Sequence, residues 1–216
     1  MKLLVLGASG GCGKWICKLA AKRGHRVRVL VRPGTQFDPA SNIEVVRGNV
    51  LEKATLETVL KNQDGVLSAL GIKRKSPNNP WSPIVSPPDL TTQVAECLVE
   101  LMPKMGIPRV VTISAAGVGE SITQVNSIIR WMIKHSNMAA SYQDLEGMER
   151  VFKKSHLEWA AVRPTTLTDG KPTRKVREID HYGLLNRISR GDVASWMLNT
   201  IESSIPVSER TPIISL

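Results

Sequence analysis

Gly7, Gly10 and Gly13 stand three residues apart in the stretch Gly7-Ala8-Ser9-Gly10-Gly11-Cys12-Gly13. Between a strand and a helix, such spacing serves one chemistry. The first glycine permits a tight turn, the second lets backbone approach a pyrophosphate, and the last lets helix and strand pack closely. Exposed N–H groups around Ser9, Gly11 and Cys12, with the positive end of the helix, attract phosphate. Dinucleotide binding is therefore expected here. Gly13-Lys14 also resembles the end of a nucleoside-triphosphate loop, but Ala8 and Trp15 stand where that motif needs a glycine and a magnesium-binding hydroxyl.

The kind of dinucleotide is read further along. Sites selective for NAD(H) present an acid about 20 positions after the glycines, to hold the ribose 2′-hydroxyl. Here the chain reads Leu30-Val31-Arg32-Pro33. A guanidinium at Arg32 suits the 2′-phosphate of NADP(H), so NADP(H) is expected ahead of NAD(H). Cys12 lies at the start of the helix, where the dipole could lower its thiol pKa, but its small size suits the loop without any chemistry, and that is the reading expected.

The elements that must position these residues alternate along the chain. Strand patterns occupy Lys2–Leu6, Arg26–Val31, Ile43–Arg47, Gly65–Leu70, Arg109–Ser114 and Leu157–Arg163. Helical patterns occupy Gly13–Arg23, Glu52–Lys61, Leu90–Met105, Ser141–Lys154 and Asp192–Glu202. Alternation of this kind predicts an α/β fold: a doubly wound parallel sheet with helices on both faces, a Rossmann fold in one domain over 1–216. Lys73–Asp89, with five prolines, and Gly117–Ala140 fall outside the pattern and are expected to cover a substrate.

Composition narrows the partners. The 216 residues carry a formal charge of +10, with 42% hydrophobic and 22% charged residues, as in an ordinary globular protein. Aromatic residues at 4% leave little for base stacking, so no nucleic-acid partner is expected. No apolar run is long enough to cross a bilayer, and no membrane partner is expected. Three cysteines and four scattered histidines give neither a disulfide framework nor metal-ligand spacing, so no metal is expected. A cytoplasmic location follows from these features as an expectation. An oligomer through the outer face of Leu90–Met105 is conceivable on this reading but has no support in the sequence.

The chain resembles the atypical short-chain dehydrogenase/reductase superfamily, in particular its NAD(P)H-binding, NmrA-like and biliverdin-reductase-B or flavin-reductase-like branch. The resemblance rests on Gly7–Gly13, Val31-Arg32, Gly48-Asn49-Val50, Ala69-Leu70-Gly71 and Ile113-Ser114-Ala115. It is carried most specifically by Val162-Arg163-Pro164, Leu167-Thr168-Asp169-Gly170 and Ile188-Ser189-Arg190-Gly191-Asp192-Val193-Ala194. It implies that Asn49 and Val50 touch the adenine, that Leu70 and Gly71 run beside the riboses, and that Ser114 lies near the nicotinamide. Arg163, Pro164, Thr165 and Thr166 would line its far side, and Asp192 would cap the last helix.

The resemblance also implies a catalytic pair, Ser114 and Tyr142. Related dehydrogenases place a lysine four residues after the tyrosine, lowering its pKa for proton transfer. Glu146 stands there instead, and a carboxylate would raise that pKa. Hydride transfer to a planar acceptor, of flavin or quinone type, needs stacking on the nicotinamide more than a dedicated acid. The expected function is an NADPH-dependent oxidoreductase acting on such a small-molecule acceptor. The alternative is a non-catalytic NADP(H) sensor of NmrA-like type, and sugar-nucleotide chemistry is a weaker third.

Overall fold

Leucine and β-branched runs form the strands of the computed structural model, which describes residues 1–38, 42–207 and 210–216. β1 (Lys2–Leu6) passes through the glycine loop into α1 (Gly11–Lys22), followed by β2 (Arg26–Val31), β3 (Ile43–Arg47) and α2 (Lys53–Leu60). β4 (Gly65–Ser68), α3 (Leu90–Lys104) and β5 (Arg109–Ile113) come next. A 3-10 turn over Gly119–Gln124 then leads to α4 (Ser127–Lys134) and α5 (Met138–Lys153). The chain finishes with β6 (Glu158–Pro164), β7 (Thr166–Thr168), β8 (Arg177–Glu178), β9 (Arg187–Ser189), α6 (Arg190–Ile201) and β10 (Ile213–Ser215).

Eight strands make one sheet in the order β3-β2-β1-β4-β5-β6-β10-β8, parallel except for β8, which runs antiparallel to β10. β7 and β9 pair separately. The expected doubly wound fold is the one observed, and its strand order reverses between β1 and β4. Ligands of open α/β sheets bind above such a reversal, at the C-terminal strand ends. Alternation along β1 sends Leu3 and Val5 toward α1 and α6, while Leu4 and Leu6 pack with α2, α3 and α5. Both faces are therefore buried, which is why the strands read as nearly unbroken apolar runs.

Two buried carboxylates tie this frame together. Asp144 on α5 accepts the N–H groups of Thr91 (3.0 Å) and Thr92 (2.9 Å), capping α3 from a neighbouring helix. Asp192 was expected to cap α6, but the cap is Ser189, whose hydroxyl oxygen accepts the Asp192 N–H at 3.0 Å. Asp192 sits one turn inside and accepts the Thr173 N–H at 2.7 Å, which fastens the preceding loop to the helix.

The two irregular segments are more ordered than the sequence suggests. In 73–89, Arg74 bridges Ile84, while the Lys75 and Val85 N–H groups donate to the Pro83 and Lys73 carbonyls at 2.9 and 2.8 Å. In 117–140, Asn126 accepts the Ile128 N–H and so caps α4, with Ile129 and Ile133 turned inward. Among the described residues, no helix is long and apolar enough to cross a membrane.

Candidate dinucleotide site

Sterics at the strand-order reversal account for two of the three glycines. Gly7 has φ of +78°, and a Cβ there would lie 2.5 Å from the Ala69 carbonyl oxygen, so the loops after β1 and β4 touch. A Cβ on Gly13 would overlap the Gly7 carbonyl oxygen and stand 2.8 Å from Ala8 Cα, both fixed backbone. Gly10 is less constrained, with a Cβ reaching 3.3 Å from the Gly7 carbonyl oxygen. It is the N-cap of α1, offers no side chain to the helix, and no acidic residue occupies the first turn. The first-turn N–H groups thus have no carboxylate competing for them, as an anion site requires.

A residue that sequence reasoning did not single out as a ligand stands over this turn. Arg190, the first residue of α6, lies so close that a Cβ on Gly11 would be 2.5 Å from its Cδ. Its guanidinium donates to Asp169 at 2.7 Å, and that carboxylate is 94% exposed. Placement of Arg190 follows from the Ser189 cap, because the residue after an N-cap projects from the helix end. Cys12 lies beneath. Burial pushes its thiol up to about 11, outweighing the lowering by nearby Arg190, which agrees with a cysteine that fills the loop without chemistry.

At the adenosine end, Arg32 is exposed just beyond β2. Asn49 is exposed and Val50 half-buried past the end of β3. The Asn49 side chain accepts the Leu51 N–H at 3.1 Å, which makes it the former of a local turn. Beside this end, Lys14, Lys18, Phe37 and Arg47 help to line a cavity of about 860 Å³ between α1 and the sheet margin.

At the opposite end, Ser114 follows β5 and its N–H donates to the Val162 carbonyl at 2.7 Å. Its hydroxyl is buried without a hydrogen-bond partner among the described residues. A buried hydroxyl costs free energy unless it is paired, so a ligand atom would complete it. This orphaned group and the uncapped turn of α1 are the features that fit a bound dinucleotide. Leu70 is half-buried and Gly71 exposed with open space around it, next to the β1–β4 contact.

Tyr142 and Arg163 are engaged elsewhere. The Tyr142 hydroxyl donates to the Ala116 carbonyl at 3.2 Å, and burial, with a smaller contribution from Tyr182, pushes its pKa well above the tyrosine range. Glu146, expected to raise that pKa, is exposed and points to Arg150 at 3.9 Å. Arg163 was expected to line the cofactor. Its guanidinium instead faces α5 and is held by Glu149 and Glu120, each at 2.5 Å. Strand alternation explains this, since Arg163 shares a face with Trp159 and Ala161 rather than with Val162. Pro164 ends β6 beside Ile214, the Thr165 hydroxyl donates to that of Ser215 at 3.3 Å, and exposed Thr166 shares a 2.7 Å hydrogen bond with Tyr182.

A family model described as NAD(P)H-binding matches residues 7–204, from the glycine loop to just past α6. The chain belongs to the NAD(P)H-binding family. ChuY, an anaerobilin reductase of Escherichia coli O157:H7, has the same fold with a TM-score of 0.76 at 18% identity, covering 99% of this chain and 96% of that one. A short-chain dehydrogenase/reductase of Veillonella parvula, solved with NADP, gives 0.79 at 14% identity, over 100% of this chain and 94% of its own. At such identities the likeness establishes fold alone. Eugenol synthase 1 of Petunia hybrida is 32% identical over 80 residues, 32% of this chain and 26% of the enzyme. The chain thus spans about a quarter of the length of that relative. Membership of this family agrees with the NAD(P)H-binding branch that the sequence resembles.

Proposed function

We propose that the protein is an NADPH-dependent reductase of a small planar acceptor, of flavin or quinone type. The observation that carries this reading is the engagement of the Tyr142 hydroxyl by the Ala116 carbonyl. With that hydroxyl committed and its pKa raised, Tyr142 offers no acid to a substrate, and the reaction that suits this arrangement is one in which solvent supplies the proton.

The remaining roles follow from placement along one sheet edge. The first-turn N–H groups of α1 hold the pyrophosphate, with Arg190 turning from Asp169 toward it. Arg32 pairs with the 2′-phosphate and so favours NADPH over NADH. Asn49 and Val50 flank the adenine, and Leu70 and Gly71 run beside the riboses. Ser114 orients the nicotinamide, whose dihydro form supplies the hydride when bound. Segments 73–89 and 117–140 wall the acceptor in and limit its access to water.

Fluorescence titration with NADPH and NADH, using the parent and Arg32→Ala, tests the cofactor half of this reading. Tighter binding of NADPH, weakened by the substitution, is the expected result. FMN or menadione added afterwards tests the rest: absorbance at 340 nm falls if hydride is transferred. Binding without turnover across such acceptors would make the protein an NADP(H) sensor instead. Failure to bind either nucleotide would overturn both readings.

A further inference from the structure

α4 carries two apolar stripes, and only one of them is used. Ile129 and Ile133 are buried with Val125 and Ala116. Ile128 and Trp131, three residues apart on the other side, are 61% and 57% exposed. A surface helix ordinarily presents polar residues there.

Neighbouring segments extend this outer stripe at both ends. Trp81, 53% exposed, is anchored to the C-terminal end of α4 by its indole N–H, which donates to the His135 carbonyl at 3.0 Å. At the N-terminal end, the backbone of Tyr182 pairs with Gln124 and Asn126 at 2.8 and 2.9 Å. That pairing joins the segment leading into the turn 183–186 to the N-terminal end of α4, and Leu185 within the turn is 87% exposed. The result is an exposed ridge of two indoles and branched aliphatic side chains on α4 and the segments joined to its ends.

Charge narrows what the ridge can meet. The three segments 73–89, 126–137 and 180–187 carry six lysines and arginines against only Asp89 and Asp180. A second copy of the chain, itself at +10, would bring the same sign to the contact. Indoles, aliphatic tips and surrounding cations together match the head-group region of a bilayer, where tryptophan prefers to sit and lysine meets lipid phosphate.

We propose that the ridge formed by Trp81, Ile128, Trp131 and Leu185 docks the protein on an anionic lipid surface. Such docking is distinct from membrane spanning, for which no described helix is long and apolar enough. Segments 73–89 and 126–137 follow the C-terminal ends of β4 and β5, so docking brings the candidate acceptor cleft close to the lipid. Neither cofactor nor turnover is needed for it, which keeps its failure separable from failure of the reductase reading.

The test is co-sedimentation of the full chain with vesicles of phosphatidylcholine alone, or mixed equally with phosphatidylglycerol, at about 0.1 M salt. Binding to the mixed vesicles about 10-fold tighter than to the neutral ones is expected. Trp131→Ser combined with Leu185→Ser is expected to weaken it about 10-fold, and Ile205→Ser, on another part of the surface, to leave it unchanged. Lys75→Glu with Lys134→Glu provides an independent variant should the first pair fold poorly, and is expected to weaken binding equally. Equal binding to both vesicle types, or binding indifferent to these substitutions, would overturn the proposal. So would an absence of vesicle binding, and a dimer that Trp131→Ser with Leu185→Ser dissolves would then assign the ridge to a second copy.

Discussion

Arg190 lies against Gly11, so that two helix N-termini, those of α1 and α6, share one guanidinium. Its present partner, Asp169, is almost fully exposed, and an exposed pair of this kind contributes little. A phosphate held by α1 competes with it readily. Arg190→Ala is expected to weaken dinucleotide binding about 10-fold, equally for NADPH and NADH, because it acts on the shared pyrophosphate. Asp169→Asn is expected to change affinity less than about 2-fold. Isothermal titration of the three proteins checks both, and an effect of Arg190→Ala on NADPH alone would relocate the residue to the 2′-phosphate.

Gly13→Ala places a methyl group against the carbonyl of Gly7 and the Cα of Ala8, and backbone on both sides cannot yield cheaply. A loss of about 2–3 kcal/mol in urea denaturation is expected, with nucleotide binding abolished. Gly11→Ala meets only the flexible Arg190 side chain, so it is expected to fold normally and to lose affinity.

Tyr142→Phe separates a reductase of planar acceptors from a tyrosine-dependent dehydrogenase. Removing the hydroxyl forfeits the hydrogen bond to Ala116 and costs about 1 kcal/mol of stability. Turnover with menadione is expected to change by less than about 3-fold. A fall of two orders of magnitude in kcat would show the tyrosine to be a proton donor after all.

Cys12 and Cys17 are held as neutral thiols, burial pushing them up to about 11 and about 12. An acid whose pKa is raised by folding stabilises the native state while the unfolded chain also keeps the proton. That contribution fades as pH climbs through the unfolded value and on to the folded one. Stability is thus expected to hold to about pH 8 and to fall from about pH 9 upward, with Cys17→Ala reducing the slope. Urea midpoints across this range measure it. Cys97, half-buried, is expected to react first with a thiol reagent.

Much of the frame is legible from patterning. β2 and β3 fall at their predicted bounds, because each is a regular run between turn residues. α4 is hidden by its brevity: eight residues between loops give the helical period barely two turns in which to register. β8 and β10 have two and three residues, too short for alternation to register. In the candidate site, the glycine loop is readable because backbone sterics dictate its residue types. The fates of Arg163 and Tyr142 depend on Glu149, Glu120 and the Ala116 carbonyl, partners that only tertiary folding brings near.

The strand order also determines how the sheet ends. β8, at one margin, is only Arg177 and Glu178, with Glu178 further tied to Arg210 at 2.5 Å. β3, at the other, carries Glu44 and Arg47, with Glu44 paired to Arg28 at 2.9 Å. Open backbone at such margins is where neighbouring chains add strands, and charge or brevity blocks that recruitment. Among the described residues, both margins of the eight-stranded sheet are short and charge-bearing, so folded copies of this protein offer each other little backbone through which to propagate cross-β stacking.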